Sequence, residues 1–304
     1  MKTGAKVFWI ISACLIAISA SLVIAGIALG ATLEAPSTLR GFNLGTNGSS
    51  TNINDLQLAA SDREVENHSY RTLYNGIANL EIETGAISTV IRKWEGSGIN
   101  VDTSNLSRDV RRRLIVSQNG DTLRITTGYR PRLNWGRNIG HEVLVIQVPA
   151  GFEFNRVFMD IGAGRVVVDQ ILADRADLTV GAGQIDVDFL RADVLDVSIG
   201  AGQGSIDDLE VRRTNMSVGA GQLDVTGSLE ERADIDCGVG EIIFNVRGSQ
   251  EDFGHSISVG IGEANFGTLS VSGLGRDATG NQHLDRMIDI NVGIGSVTVN
   301  FLNE

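Results

Sequence analysis

Two cysteines, three prolines and an aromatic share of 5% in 304 residues leave little of what small secreted domains and many catalytic sites are built on. Cys14 and Cys237 are far apart, with Cys14 in an apolar N-terminus, so no disulfide framework and no cysteine–histidine pattern of zinc spacing is available. The four histidines (His68, His141, His255 and His283) are scattered singly and read as isolated surface residues. No serine or cysteine has a histidine base at a recognisable spacing, and no carboxylate pair stands apart from a set of regularly repeated aspartates. The expectation is a protein that is not an enzyme, with no catalytic residues, metal ligands or cofactor. Basic charge is also scarce: 25 lysines and arginines against 37 acids give a net −12, which does not suggest a nucleic-acid partner. The deficit is uneven. Residues 138–304 carry 26 acids and 10 arginines (−16), and residues 1–137 carry 11 acids and 15 bases (+4).

What the chain has first is a long apolar run. Lys2 and Lys6 precede the uncharged stretch "VFWIISACLIAISASLVIAGIALGA" from Val7 to Ala31. As a helix, a stretch of this length spans about 37 Å, enough for the roughly 30 Å hydrocarbon layer with some tilt. It is longer than the apolar part of a cleavable signal peptide. The expectation is a single-pass membrane anchor over residues 1–33, with secretion after cleavage behind Ala28-Leu29-Gly30 as the alternative. A lipidated Cys14 is disfavoured, because apolar sequence rather than a polar tether follows it. With both lysines ahead of the span, the positive-inside bias points the rest of the chain out of the cytoplasm. Residues 34–76 are polar, with no sustained apolar period, and read as a flexible linker reaching roughly 35 Å on average.

Glycine is plentiful, at 37 residues, and its placement is periodic. The phrases "MDIGAGRVVVD", "LTVGAGQIDVD", "VSIGAGQGSID", "MSVGAGQLDVT", "IDCGVGEIIFN", "ISVGIGEANFG" and "INVGIGSVTVN" begin their glycine pairs at Gly162, Gly181, Gly200, Gly219, Gly238, Gly260 and Gly293. The spacings are 19, 19, 19, 19, 22 and 33 residues, the mark of a solenoid. A dinucleotide-binding loop would need a helix after the glycines, but a strand pattern follows every pair. Aligning the phrases gives apolar columns that alternate with polar ones, the period of a strand with one buried face. One column is Ile161, Val180, Ile199, Val218, Cys237, Val259 and Val292; another is Val168, Val187, Ile206, Val225, Phe244, Phe266 and Val299. A third, beyond a turn, contains Ile171, Leu190 and Leu209. The alternation slips by one residue at Gly-Ala-Gly. This predicts a corner on every rung, with the missing Cβ permitting the bend and Ala163, Ala182, Ala201, Ala220, Val239, Ile261 and Ile294 facing inward. Roughly six inward side chains at ~2 kcal/mol each cannot offset the ~20–40 kcal/mol of backbone entropy in one rung, so rungs must stack. Among the outward columns, Gln184, Gln203 and Gln222 suit an amide ladder, and Asp169, Asp188 and Asp207 suit structural turns rather than calcium ligation.

Residues 77–150 are β-rich but irregular. "ANLEIETGAISTVI" (78–91) resembles a degenerate first rung, "RRLIVSQNGDTLRITT" (112–127) a hairpin turning at Asn119-Gly120, and "HEVLVIQVPAG" (141–151) a buried strand. Between 108 and 137 lie Arg108, Arg111, Arg112, Arg113, Arg124, Arg130, Arg132 and Arg137, against Asp109 and Asp121, with Tyr129 and Trp135 interleaved. Arg108, Arg111, Arg112, Arg113, Arg130, Arg132, Trp135 and Arg137 are candidate contacts for an anionic surface, such as wall polymer or lipid headgroups. The competing reading pairs these arginines with the acidic rungs. The insertion at 268–287 is a candidate cap for the last rung, "INVGIGSVTVNFLNE".

An N-terminal span, "LIVSQNGDTLRI", "VLVIQVPAG" and then "MDIGAGRVVVD" and "LTVGAGQIDVD" together resemble the bacterial putative-adhesin, toast-rack β-strand repeat family. This is a domain of unknown function found in envelope proteins, including ones akin to the membrane-stress proteins LiaF and LiaG. The resemblance covers about residues 77–304 and implies an extracytoplasmic β-solenoid with an envelope-stress, scaffold or adhesion role. It supplies no catalytic residues. The expected architecture is therefore an all-β parallel solenoid over 151–304, led in by 77–150 and presented outside the membrane. Envelope proteins are expected as further partners, and the alternative function is a surface enzyme acting on wall polysaccharide.

Overall fold

Alternation places one row of apolar side chains on the inner side of each strand, and these rows stack into one continuous core. The protein, seen in a computed structural model, is described over residues 70–127 and 142–302. The expected N-terminal span and the candidate residues Arg130, Arg132, Trp135 and Arg137 lie outside the described residues. Among the described residues, no helix is long and apolar enough to cross a membrane.

The structure is nearly all β. Its first strands are β1 (Arg71–Tyr74), β2 (Asn79–Thr84), β3 (Ser88–Trp94) and β4 (Ile99–Asp102), followed by a short helix, α1 (Arg108–Arg111). Next come β5 (Leu114–Asn119), β6 (Thr122–Thr127), β7 (Val143–Pro149), β8 (Glu153–Ile161), β9 (Arg165–Val168) and β10 (Ile171–Val180). Three strands, β11 (Gln184–Ile199), β12 (Gln203–Val218) and β13 (Gln222–Cys237), run from one glycine corner to the next. The remainder are β14 (Glu241–Arg247), β15 (Phe253–Val259), β16 (Glu263–Phe266), β17 (Leu269–Ser272), β18 (Arg276–Thr279), β19 (Arg286–Val292) and β20 (Ser296–Leu302). Successive rungs pair in parallel at the 19-residue offset, as in Val187↔Ile206 and Val197↔Met216. Residues 71–74, within the stretch expected as linker, form β1 on the edge of β4, where Arg71 pairs with Asp102 at 2.8 Å.

Rung order in space differs from rung order in sequence at both ends. The strands before the corners stack as β6, β2, β8, β10, β11, β12, β13, β19, β15. The C-terminal strands β19 and β20 therefore slot between the rung of Gly238 and the rung of Gly260, and the last phrase in the chain is an interior rung. One consequence is steric. The inward column now reads Phe244, Val299, Phe266, so a small side chain separates two large buried ones instead of leaving them adjacent.

The expected inward column at the centre of each corner is wrong. Ala163, Ala182 and Ala201 are exposed, as are Val239 (44%), Ile294 (47%) and Ile261 (61%). The side chains that turn inward are those flanking the corner, such as Val180 and Ile185, and three residues spent at the bend leave the middle one pointing out. The glycines are required for a different reason than a bend. None of the paired corner glycines has a positive φ. A Cβ on Gly200 would stand 2.6 Å from the carbonyl oxygen of Gly181 on the rung below. Adjacent corners pack backbone against backbone, tied by bonds such as Ala201 N–H to Gly181 O at 2.7 Å.

Antiparallel strands close both ends. β5 covers β6 and β4 covers β7 at one end; β17 covers β16 and β18 covers β15 at the other. The 268–287 insertion thus provides a cap, but over the rung of Gly260 rather than over the last rung of the sequence. In the β5–β6 hairpin, Asn119 pairs with Thr122, so the tight turn is Gly120-Asp121, one residue later than expected, with Gly120 at φ +60.

Candidate functional site

The described arginine candidates, Arg108, Arg111, Arg112 and Arg113, lie at the end closed by β5. Ser107 caps α1, its own N–H donating to Glu142 just before β7, so the helix is pinned beside the start of that strand. Arg111 is consumed locally. Its guanidinium donates to the carbonyls of Thr103 (3.3 Å) and Leu106 (2.5 Å) and stacks 4.3 Å from the ring centre of Tyr70. Arg108, Arg112 and Arg113 remain exposed, next in sequence to Ile115, which is 60% exposed on β5. Arg124 instead pairs with Glu83 at 2.6 Å and Glu81 at 3.5 Å, which raises its pKa.

Among the described residues, several acids of the rungs pair with arginines of the rungs themselves. Asp177 receives Arg156 at 2.7 Å and Arg175 at 2.9 Å; burial opposes its charge, but these two arginines hold its pKa below the ordinary value. Arg175 also reaches Asp196, and Arg232 bridges Asp234 and Asp289. Buried Asp186 is satisfied by Arg165, Gln184 and Ser205. Gln184 and Gln222 donate to Asp186 and Asp224 two residues along their own strands instead of to Gln203 on the rung between them, which replaces the expected glutamine ladder. A cross-rung side-chain ladder does form where turn residues were expected, with Asn300 donating to Asn245 and Asn245 to Thr226.

Asp169, Asp188 and Asp207 line up one rung apart. Burial, then the neighbouring charges of Asp169 and Asp207, raises the pKa of Asp188. Among the described residues, no three acidic, histidine or cysteine side chains converge on a point that could hold a metal ion. A groove of about 200 Å³ lies over the third side of the rungs, floored by Ala173, Ala192 and Val211. Its carboxylates Glu153, Asp174, Asp193, Glu210 and Glu230 are all exposed. Part of the wall is self-paired, through Arg191 with Glu153 at 2.7 Å and Arg212 with Asp193 at 3.7 Å.

No family model and no curated protein matches the sequence. Similar solved structures include a putative adhesin from Bacteroides fragilis NCTC 9343, at 13% identity, covering 75% of this chain and 94% of that one, with a TM-score of 0.41. A putative cell adhesion protein from Clostridium sporogenes ATCC 15579 is 15% identical, with coverage of 76% and 98% and a TM-score of 0.34. A putative lipid binding protein from Parabacteroides distasonis ATCC 8503 is 13% identical, with coverage of 76% and 95% and a TM-score of 0.36. No functional residue follows from likeness this distant.

The exposed arginines were legible in the sequence as a charge run; that Arg111 is not available was not. An exposed apolar row at the corners, Val239, Ile294 and Ile261, was missed altogether. Its sequence signal, alanine giving way to valine and isoleucine at one repeat position, is the same for a core column and for an exposed one.

Proposed function

We propose that this protein is a non-enzymatic scaffold of the cell envelope, held outside the cytoplasm by its N-terminal span, whose basic end docks on an anionic surface. The observation that carries this reading is the exposure of Arg108, Arg112 and Arg113 beside Ile115 on the end cap closest in the chain to the N-terminal span. Guanidinium groups bind phosphate in a forked geometry, and an adjacent apolar side chain favours a surface over free ions. Envelope-stress sensing or adhesion is the role such a docked module would serve, with envelope proteins as further partners. Lipid headgroups and phosphate-bearing wall polymer share the chemistry required. The full chain in neutral detergent should bind immobilised poly(glycerol phosphate) and anionic vesicles, steeply weakened by salt because exposed charges are screened over about 8 Å at physiological ionic strength. Replacing Arg108, Arg112 and Arg113 by glutamine should weaken binding at least threefold. Binding that ignores both salt and these substitutions would overturn the reading.

A further inference from the structure

Outward-facing residues on the strands before the corners form one column along the whole stack. It begins at Ile115 on β5 and ends at Asp277 on β18, with Thr179, Ser198 and Ser217 in its middle. Eleven strands contribute, so at about 4.8 Å per strand the column is about 48 Å long. The corner row runs beside it. Its middle is the small Ala163, Ala182 and Ala201, and towards the β18 end it widens to Val239, Ile294 and Ile261. Gly275 N–H donates to Gly260 O at 2.8 Å, which brings the cap turn against that corner and presents Leu274, 79% exposed, next to the row.

The two ends of this strip differ in charge. Around the apolar row stand Asp236 and Asp277 on one side and Glu241 and Glu263 on the other. Asp236 accepts from Asn291 at 2.9 Å, Asp277 from Ser258 at 2.8 Å and Glu263 from Ser270 at 3.4 Å. None of the four has a cationic partner among the described residues, unlike Asp177, Asp196 and Asp234 on the same wall. Arg276 is the one cation of the cap strands. The opposite end offers Arg108, Arg112 and Ile115, also exposed.

We infer that a second copy of this chain docks on this strip in the antiparallel sense, the basic end of each copy covering the acidic, apolar end of the other. A two-fold axis across the middle of the strip makes both contacts at once and closes the assembly at two. The small residues at the centre let the two strips approach. A parallel arrangement would set the four carboxylates against their own copies, and like charges at an interface count against it. The same register brings Asp160 on one copy towards Asp236 on the other. Asp160→Asn should therefore tighten association.

Sedimentation equilibrium on the full chain in neutral detergent should give a mass that levels off at two copies and a dissociation constant that rises with salt. Ile261→Glu with Leu274→Glu should raise that constant at least tenfold. Arg108→Glu with Arg112→Glu, or Glu241→Lys with Glu263→Lys, should each do the same, and mixing the two charge-reversed proteins should restore association to within threefold of the original. These positions are exposed, and unchanged circular dichroism would confirm the fold. A monomer at all concentrations, a mass that grows beyond two, or association indifferent to charge reversal would overturn the inference. The two readings call on the same arginines, so dimer and anionic surface compete for the basic end, and Glu241→Lys with Glu263→Lys, which leaves those arginines in place, should abolish the dimer without weakening polymer binding.

Discussion

Replacing Gly202 by alanine adds a single methyl group where the fold leaves no room for it. Built on the existing backbone, the new Cβ would lie 3.1 Å from both the carbonyl carbon and the amide nitrogen of Gly183, and closer still to its carbonyl oxygen. All three atoms are backbone, so no side chain can rotate away. Restoring ordinary contact requires the two corners to part by about 1 Å. That displacement would stretch Ala201 N–H to Gly181 O, now 2.7 Å, and Gln203 N–H to Gly183 O, now 3.0 Å, past the limit of useful bonds. The corner is exposed, so water can re-solvate the freed groups, and each bond is then worth about 1 kcal/mol. Loosened contact between Ile185, Ile199 and Leu223 around Gly204 adds about 1–2 kcal/mol, for a total of about 3–4 kcal/mol. Two substitutions separate this cause from others. Gly120→Ala meets no atom within 4 Å but keeps φ +60, and should cost about 1 kcal/mol. Ala201→Leu, on an exposed side chain of the same corner, should cost almost nothing. Urea unfolding followed by circular dichroism orders the three. A Gly202→Ala protein within 1 kcal/mol of the parent would refute close backbone packing as the reason for these glycines.

Val187→Asp places a charge in a column 1% exposed between Val168 and Ile206, and should lower stability by several kcal/mol, melting neighbouring rungs together in hydrogen exchange. Asp188→Asn should stabilise at neutral pH by a few tenths of a kcal/mol. Burial and the charges of Asp169 and Asp207 hold the folded pKa of Asp188 above the ordinary aspartate value, so ionising the carboxyl costs stability as pH rises through that window. The gain should therefore fade below pH 4, and a thermal shift that is equal at pH 3 and pH 7 would contradict it. Val271→Asp, at a 7% exposed position on β17, should peel the cap from β16 and β15 and expose their edges. Light scattering should then show open-ended aggregation rather than a mass fixed at two.

Much of the rung was determined by sequence alone. The 19-residue period and the columns through Val180, Ile185, Val187 and Leu190 follow from alternation, because a strand with one wet face must alternate and a rung too small to fold alone must repeat. Three decisions belonged to the tertiary structure. Which way Ala182 points depends on how many residues the backbone spends at the corner, and the residue pattern is the same for an inward or outward middle position. Which arginines stay available depends on whether carbonyls such as those of Thr103 and Leu106 happen to converge on one of them, as they do on Arg111. The order of rungs was hidden for a deeper reason. Parallel ladder bonds join backbone to backbone and carry no record of which repeat is the neighbour, so β19 could have extended the stack beyond β15. Its place between β13 and β15 came with fitting Val299 between Phe244 and Phe266, and with a connection long enough to cross back and cap the edge it left behind.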